Sequence, residues 1–232
     1  MRVVLTGQKR FGADVLRLLM ERDDQVIGVS CPATDADGKP DKLWIAAQNA
    51  GLPLVRDGRL TQYTMPEGAD LIVAAHAHDF VGAVTRRKAR LGALGYHPSA
   101  LPRHRGRSAI EWAIRFGEKI TGGSIYWLND VVDGGPIAAQ EHCLIRPDDT
   151  ALSLWVRELA PMGLRLFRQV LRDLDRGLVV AIDQDPDLAT WEPAIDNVPR
   201  LFRPDLPMLG GPADFVVIKD RSEFLRRKER SA

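Results

Sequence analysis

A chain of 232 residues, 45% hydrophobic and 27% charged, carries enough apolar content for one full core, which excludes a disordered or fibrous protein. Its 32 basic and 31 acidic residues leave a net charge of +1, so a main role on nucleic acid or a membrane surface has no electrostatic footprint. Cys31 and Cys143 lie far apart without a CxxC, and neither a cationic-then-apolar leader nor an apolar run of about 18 residues is present, so the expectation is a cytoplasmic protein with reduced thiols.

Residues 1–31 predict strand, glycine-punctuated turn, amphipathic helix and second strand: "RVVL" and "QVIGV" suit a buried parallel sheet, while Phe11, Val15, Leu18 and Leu19 recur at helical spacing. The turn "GQKRFGA" has glycines at 7 and 12. However, Ala13 and Asp14 stand where a phosphate loop needs Lys and Ser or Thr, and the pattern is not GxGxxG. Close packing of helix on strand is the better account of these glycines. After the loop "TDADGKPD" come a helix "KLWIAAQNAG", a short strand "LPLV" and a buried strand in "ADLIVAAHAHDFV". This alternation predicts an α/β fold, Rossmann-like and doubly wound around a mostly parallel sheet. His76 and His78 form an HxH pair beside Asp79, but no further ligands stand at metal-site spacing, so they are read as strand-end residues lining a cleft, with no metal.

An Arg/Lys-rich helical stretch then leads to "GYHPSALPRHRG". Pro98 and Pro102 stiffen the chain around His97, and an imidazole held in this way is a candidate general acid or base, with a purely structural histidine as the competing reading. Ser108 and Glu111 predict a capping box opening the helix "SAIEWAIRFGE", with Ile110, Ala113 and Ile114 on one face. Arg103, Arg105 and Arg107 precede that helix N-terminus, a place that favours anionic or carbonyl oxygens, or else they are solvated charges. In "TGGSIYWLNDVVDGGPIAAQE" two strands flank a loop in which Asp133 precedes two glycines. A plain turn aspartate is the competing reading of Asp133.

Taken together, the last two segments resemble the folate-dependent formyltransferases, whose motifs read roughly NxHxSLLPxxRG, then TG, then DxG. His97, Ser99, Leu101, Pro102, Arg105, Gly106, Thr121, Gly122, Asp133, Gly135 and Ile137 carry the match. The likeness runs from Met1 to about Asp196, including the late helix "LSLWVRELAPMGLRLFRQVLRDL" and the segment "DQDPDLATWEPAI". Within the family it is to the hydrolase domain of 10-formyltetrahydrofolate dehydrogenase and to a similar domain of a hydrogenase-maturation protein.

The resemblance implies a formyltransferase fold over residues 1–180, with 181–232 a short irregular extension packing on it and not a full tRNA-binding barrel. It implies 10-formyltetrahydrofolate as formyl donor, with His97, Asp133 and Gly95 as the catalytic positions. Gly95 stands where the amine-transferring members keep an asparagine. The pterin would bind between the end of the "DLIVAAHAH" strand and the 128–135 loop, with His76, His78, Asp79, Ser99, Leu101, Arg105, Asn129, Val131 and Gly135 as binding residues; the arginines are candidates for the anionic folate tail. The implied activity is release of the formyl group to water, with transfer to a small amine such as an amino sugar nucleotide, or non-catalytic folate binding, as alternatives. The implied partner is a small molecule, tRNA is disfavoured, no membrane is involved, and a homo-oligomer is compatible with the sequence. "VPRLFRPDLPMLGG" reads as irregular and "SEFLRRKERSA" as a charged helix or tail.

Overall fold

The computed structural model describes residues 1–77 and 79–195. A six-stranded sheet in the order β2-β1-β3-β4-β5-β6 forms its centre, from β1 (Arg2–Gly7), β2 (Gln25–Ser30), β3 (Leu71–Ala75), β4 (Ala93–His97), β5 (Ile120–Trp127) and β6 (Ile137–Leu144). The pairings of β1 with β2, β1 with β3 and β3 with β4 are parallel; β4–β5 and β5–β6 are antiparallel. The sheet is therefore mixed, since a short loop joins β5 to β6 and only an antiparallel pair can close over so few residues. The expected strand at "LPLV" reduces to one bridge, Leu54 to Val29.

Helix α1 (Lys9–Glu21) buries Phe11, Val15, Leu18 and Leu19 as its spacing predicts. Gly7 and Gly12 serve packing: a Cβ on Gly7 would stand 2.0 Å from the Ala75 carbonyl oxygen, and one on Gly12 2.9 Å from Leu43. Helix α2 (Lys42–Asn49) is capped by Asp41, whose buried carboxylate also accepts from the Lys9 N–H at 2.8 Å and so fills the start of α1. The basic stretch before β4 holds only one helical turn, α3 (Ala83–Arg86).

Helix α4 (Ala109–Arg115) forms without the expected capping box: the Ser108 hydroxyl makes no cap bond and instead accepts from the Ile195 N–H at 2.9 Å. The late helix consists of α5 (Ala151–Leu154), a π-helical turn over Trp155–Leu159, and α6 (Ala160–Asp175), which buries Met162, Leu166, Phe167, Val170 and Leu171 against the sheet. The chain then turns back across the sheet end, where Ile182 bridges Ile137 and Trp191 bridges Arg105.

The strand order switches between the parallel neighbours β1 and β3, the one followed by a crossover outward to β2 and the other by a crossover the opposite way to β4. The loops beyond their carboxyl ends diverge, and in such sheets a crevice opens there. β4 ends at His97 beside that crevice, while the β5–β6 loop closes its far side.

Candidate active site

A cleft of about 900 Å³ occupies this position. Lys9 and Phe11 line it from α1, His76, Ala77, Asp79, Phe80 and Val81 from the end of β3, and Gly95 to Pro98 from β4. Asn129, Val131, Val132 and Asp133 of the β5–β6 loop and Leu152 and Trp155 of the late helix complete its walls. The π-helical turn carries Trp155 toward Phe11 and His76, with ring centroids 5.2 and 6.2 Å away. Such turns are frequent at functional sites.

The orientation of His97 follows from its partners. Its Nε2 lies 2.7 Å from the His104 carbonyl oxygen, which only accepts, so Nε2 carries a proton. Nδ1 of the neutral ring is then the unprotonated nitrogen, and it faces Asp133 Oδ2 at 3.5 Å. Asp133 is held on both oxygens: Oδ2 accepts from the Gly106 N–H at 2.8 Å, and Oδ1 from the Tyr126 hydroxyl at 2.6 Å. Burial first, and then the Asp133 charge, push the Tyr126 phenol well above its ordinary pKa, which keeps it a donor. His76 and Asp133, on the cleft wall, and His104, beside His97, have φ between 51° and 58°, a conformation that non-glycine residues seldom adopt. Gly106 has φ 100°, which suits only glycine and leaves its N–H aimed at Asp133.

Behind this pair, Gln184 ties the loop down. Its Nε2 donates to the carbonyls of Asp133 and Gly135 at 2.9 and 2.7 Å, while its Oε1 accepts from Arg105 at 2.7 Å. Burial lowers the Arg105 pKa, against the opposing pull of Asp133. His104 is buried between Glu118 and Glu192, each 3.1 Å from one ring nitrogen. Burial lowers its pKa, but the two carboxylates outweigh this and hold it above the usual histidine value.

Of the residues singled out from sequence, the cleft gathers His76, Asp79, Gly95, His97, Asn129, Val131 and Asp133. Ser99, Leu101, Arg105 and Gly135 stand behind its wall. The Ser99 hydroxyl donates to the Arg103 carbonyl, the Leu101 carbonyl accepts from Gln140, and a Cβ on Gly135 would collide with the Trp127 carbonyl oxygen at 1.7 Å. His78 and the tail from 196 onward lie outside the described residues. Arg103 pairs with Glu118, whereas Arg107 is exposed on the cleft wall. Sequence reasoning passed over Tyr126, His104, Trp155 and Gln184. Gln184 falls in a segment noted only for its likeness, and Tyr126 in a strand buried on both faces, where alternation carries no signal.

A crevice at the switch point of an α/β sheet, walled largely by apolar side chains and holding a fixed imidazole beside a fixed carboxylate, is an arrangement suited to binding a small molecule and exchanging protons with it. The formyl transferase family model matches residues 4–167, and the chain belongs to that family. It is 35% identical over 202 residues to mitochondrial 10-formyltetrahydrofolate dehydrogenase of Mus musculus, covering 83% of this chain but 22% of that protein. It is 30% identical over 236 residues to methionyl-tRNA formyltransferase of Synechococcus sp. (strain JA-3-3Ab), covering 88% of this chain and 72% of that protein. Among solved structures, an N-formyltransferase from Helicobacter canadensis in complex with folinic acid and dTDP-3-aminofucose superposes with a TM-score of 0.67 at 18% identity, covering 83% and 70% of the two chains. The fold is thus that of the formyltransferases, and the chain spans about a fifth of the length of the dehydrogenases it matches.

Proposed function

We propose that this protein removes the formyl group of 10-formyltetrahydrofolate and delivers it to water, giving formate and tetrahydrofolate. The observation that carries this reading is the His97–Asp133 pair, two proton acceptors 3.5 Å apart facing an apolar cleft. Water must lose a proton as it attacks, so it needs a base in place at that moment more than an amine does. Asp133 Oδ2 and His97 Nδ1 supply one. As the new C–O bond forms, the proton of water passes to His97 Nδ1, and the Asp133 carboxylate beside it stabilises the imidazolium so formed. Breaking the C–N bond then returns that proton to the folate nitrogen that carried the formyl group, and the resulting formic acid ionises.

Two further features favour water. No side chain on Gly95 offers an amide beside His97, and the start of α1 is filled by the Asp41 carboxylate, which denies that helix end to the phosphate of an acceptor. Asn129, Val131 and Val132 would flank the pterin with backbone groups. Arg107 and Lys9, exposed along the cleft, suit the anionic tail of the folate. Residues 181–195 belong functionally with the catalytic unit, since Gln184 and Trp191 close its rear. A small-molecule role without tRNA and a cytoplasmic location remain part of this proposal. No helix among the described residues is long and apolar enough to cross a membrane.

The test is to incubate the purified chain with 10-formyltetrahydrofolate and no amine, following tetrahydrofolate and formate against a His97→Ala control. Stoichiometric formate that depends on His97 is expected. Donor consumption that begins only when an amine is added would transfer the reading to N-formyl transfer.

A further inference from the structure

Gly95 and Tyr126 are directly opposite each other on the antiparallel strands β4 and β5. A Cβ on Gly95 would stand 3.2 Å from both Cε1 and Cζ of Tyr126 and 2.9 Å from Leu128 Cδ2. The Tyr126 ring therefore lies over the bare Cα of Gly95, buried, and its hydroxyl reaches past it to Asp133 Oδ1 at 2.6 Å. A carboxylate held by one oxygen can still rotate about its last bond. With Gly106 on Oδ2 and Tyr126 on Oδ1, the plane of the Asp133 carboxylate is fixed and Oδ2 stays turned to His97 Nδ1.

We propose that Tyr126 is a positioning residue for the reaction, acting through Asp133, and that position 95 is glycine because the Tyr126 ring and the Leu128 side chain together fill the space a side chain would need. The inference deepens the formyl-release reading and rests on it for the step that is positioned. Gly95 is then one half of a pair: the strand lacks a side chain at that point so that its neighbour can cross to the catalytic loop. The hydroxyl touches neither donor nor water in this role. What it changes is how often the carboxylate faces the imidazole.

The test compares the wild-type chain, Tyr126→Phe, Gly95→Ala and the double variant. It measures kcat and KM for 10-formyltetrahydrofolate, with and without added amines, and the Kd for folinic acid. Tyr126→Phe keeps the ring and loses only the bond to a charged group, so kcat should fall roughly 10- to 100-fold, with KM and the folinic acid Kd within about twofold. Gly95→Ala should lower kcat in the same direction by pushing the ring aside, and the double variant should be about as slow as the slower single one, because both break one contact. A Tyr126→Phe variant with wild-type kcat, or losses that multiply in the double variant, would overturn the proposal. If the wild type consumes the donor only with an amine, the formyl-release reading falls, and the same comparisons made with that amine still decide the role of Tyr126. The contact is also readable without turnover: the Tyr126 ¹³Cζ resonance should move in Asp133→Asn and in Gly95→Ala, and a signal unmoved in both would sink the inference even if the wild type were inert with every acceptor.

Discussion

Replacing Asp133 with asparagine removes the charge and keeps the shape. The amide oxygen can still accept from the Gly106 N–H, and the amide NH2 can donate to the Tyr126 phenol oxygen, so the loop retains both anchors and its stability should change by no more than about 1 kcal/mol. What disappears is the attraction between a carboxylate and the imidazolium that forms at His97. Across 3.5 Å, with an effective dielectric near 20, that attraction is about 5 kcal/mol as an upper bound, and roughly 1.4 kcal/mol corresponds to each tenfold in rate. The expected kcat is therefore lower by about a thousandfold, with KM within about threefold because the residue holds the reaction and not the pterin. Stopped-flow or coupled measurement of tetrahydrofolate formation, beside a thermal melt, would check both quantities. An Asp133→Asn enzyme retaining more than about a tenth of wild-type kcat would refute the assignment of base chemistry to this pair.

Removing the Gln184 side chain strips two carbonyls and Arg105 of their partner, so Gln184→Ala should cost about 1–3 kcal/mol in urea unfolding and lower kcat about tenfold. In Gly135→Ala the new methyl would sit 1.7 Å from the Trp127 carbonyl oxygen, so the loop must leave its place. Activity should fall by more than about a hundredfold, with a destabilisation near 3 kcal/mol visible in the melt. The raised pKa of His104 gives a signed prediction: its ion pairs stabilise the fold fully below the unfolded value of about 6.5 and lose that contribution as pH rises through the raised folded value. The Tm difference between wild type and His104→Asn, scanned from about pH 5.5 to 9, should be largest at the acidic end, and a constant difference would contradict the charged pairing.

The parallel half of the sheet was legible because β1, β2 and β3 are short runs of apolar residues, and buried parallel strands need little else. The antiparallel half was not, since "SIYWL" and "PIAAQ" state that strands exist without stating their direction. His97 and Asp133 stood out through their stiff and glycine-rich surroundings, and the structure places them side by side. The Ser108 capping box failed for a reason no local pattern contains: its hydroxyl is taken by a backbone N–H at Ile195, 87 residues further along the chain. Tyr126, Gln184 and His104 share that character. Each acts through a partner distant in sequence or hidden by burial on both faces, so pairing, and not composition, gives it a role.

Gln184, Glu192 and Ile195 all follow the last residue matched by the family model, yet they grip the Asp133 loop, the His104 ring and the start of α4. The span of the family model and the integrity of the site consequently have different borders. A chain cut at 180 would keep every strand of the sheet together with His97 and Asp133 while losing one of the two carboxylates that enclose His104, whose carbonyl sets the tautomer of His97. Anyone grafting this unit, or shuffling it with a relative, would need to carry the turn-back segment with it, because the proton-bearing nitrogen of the His97 ring is specified from outside the sheet.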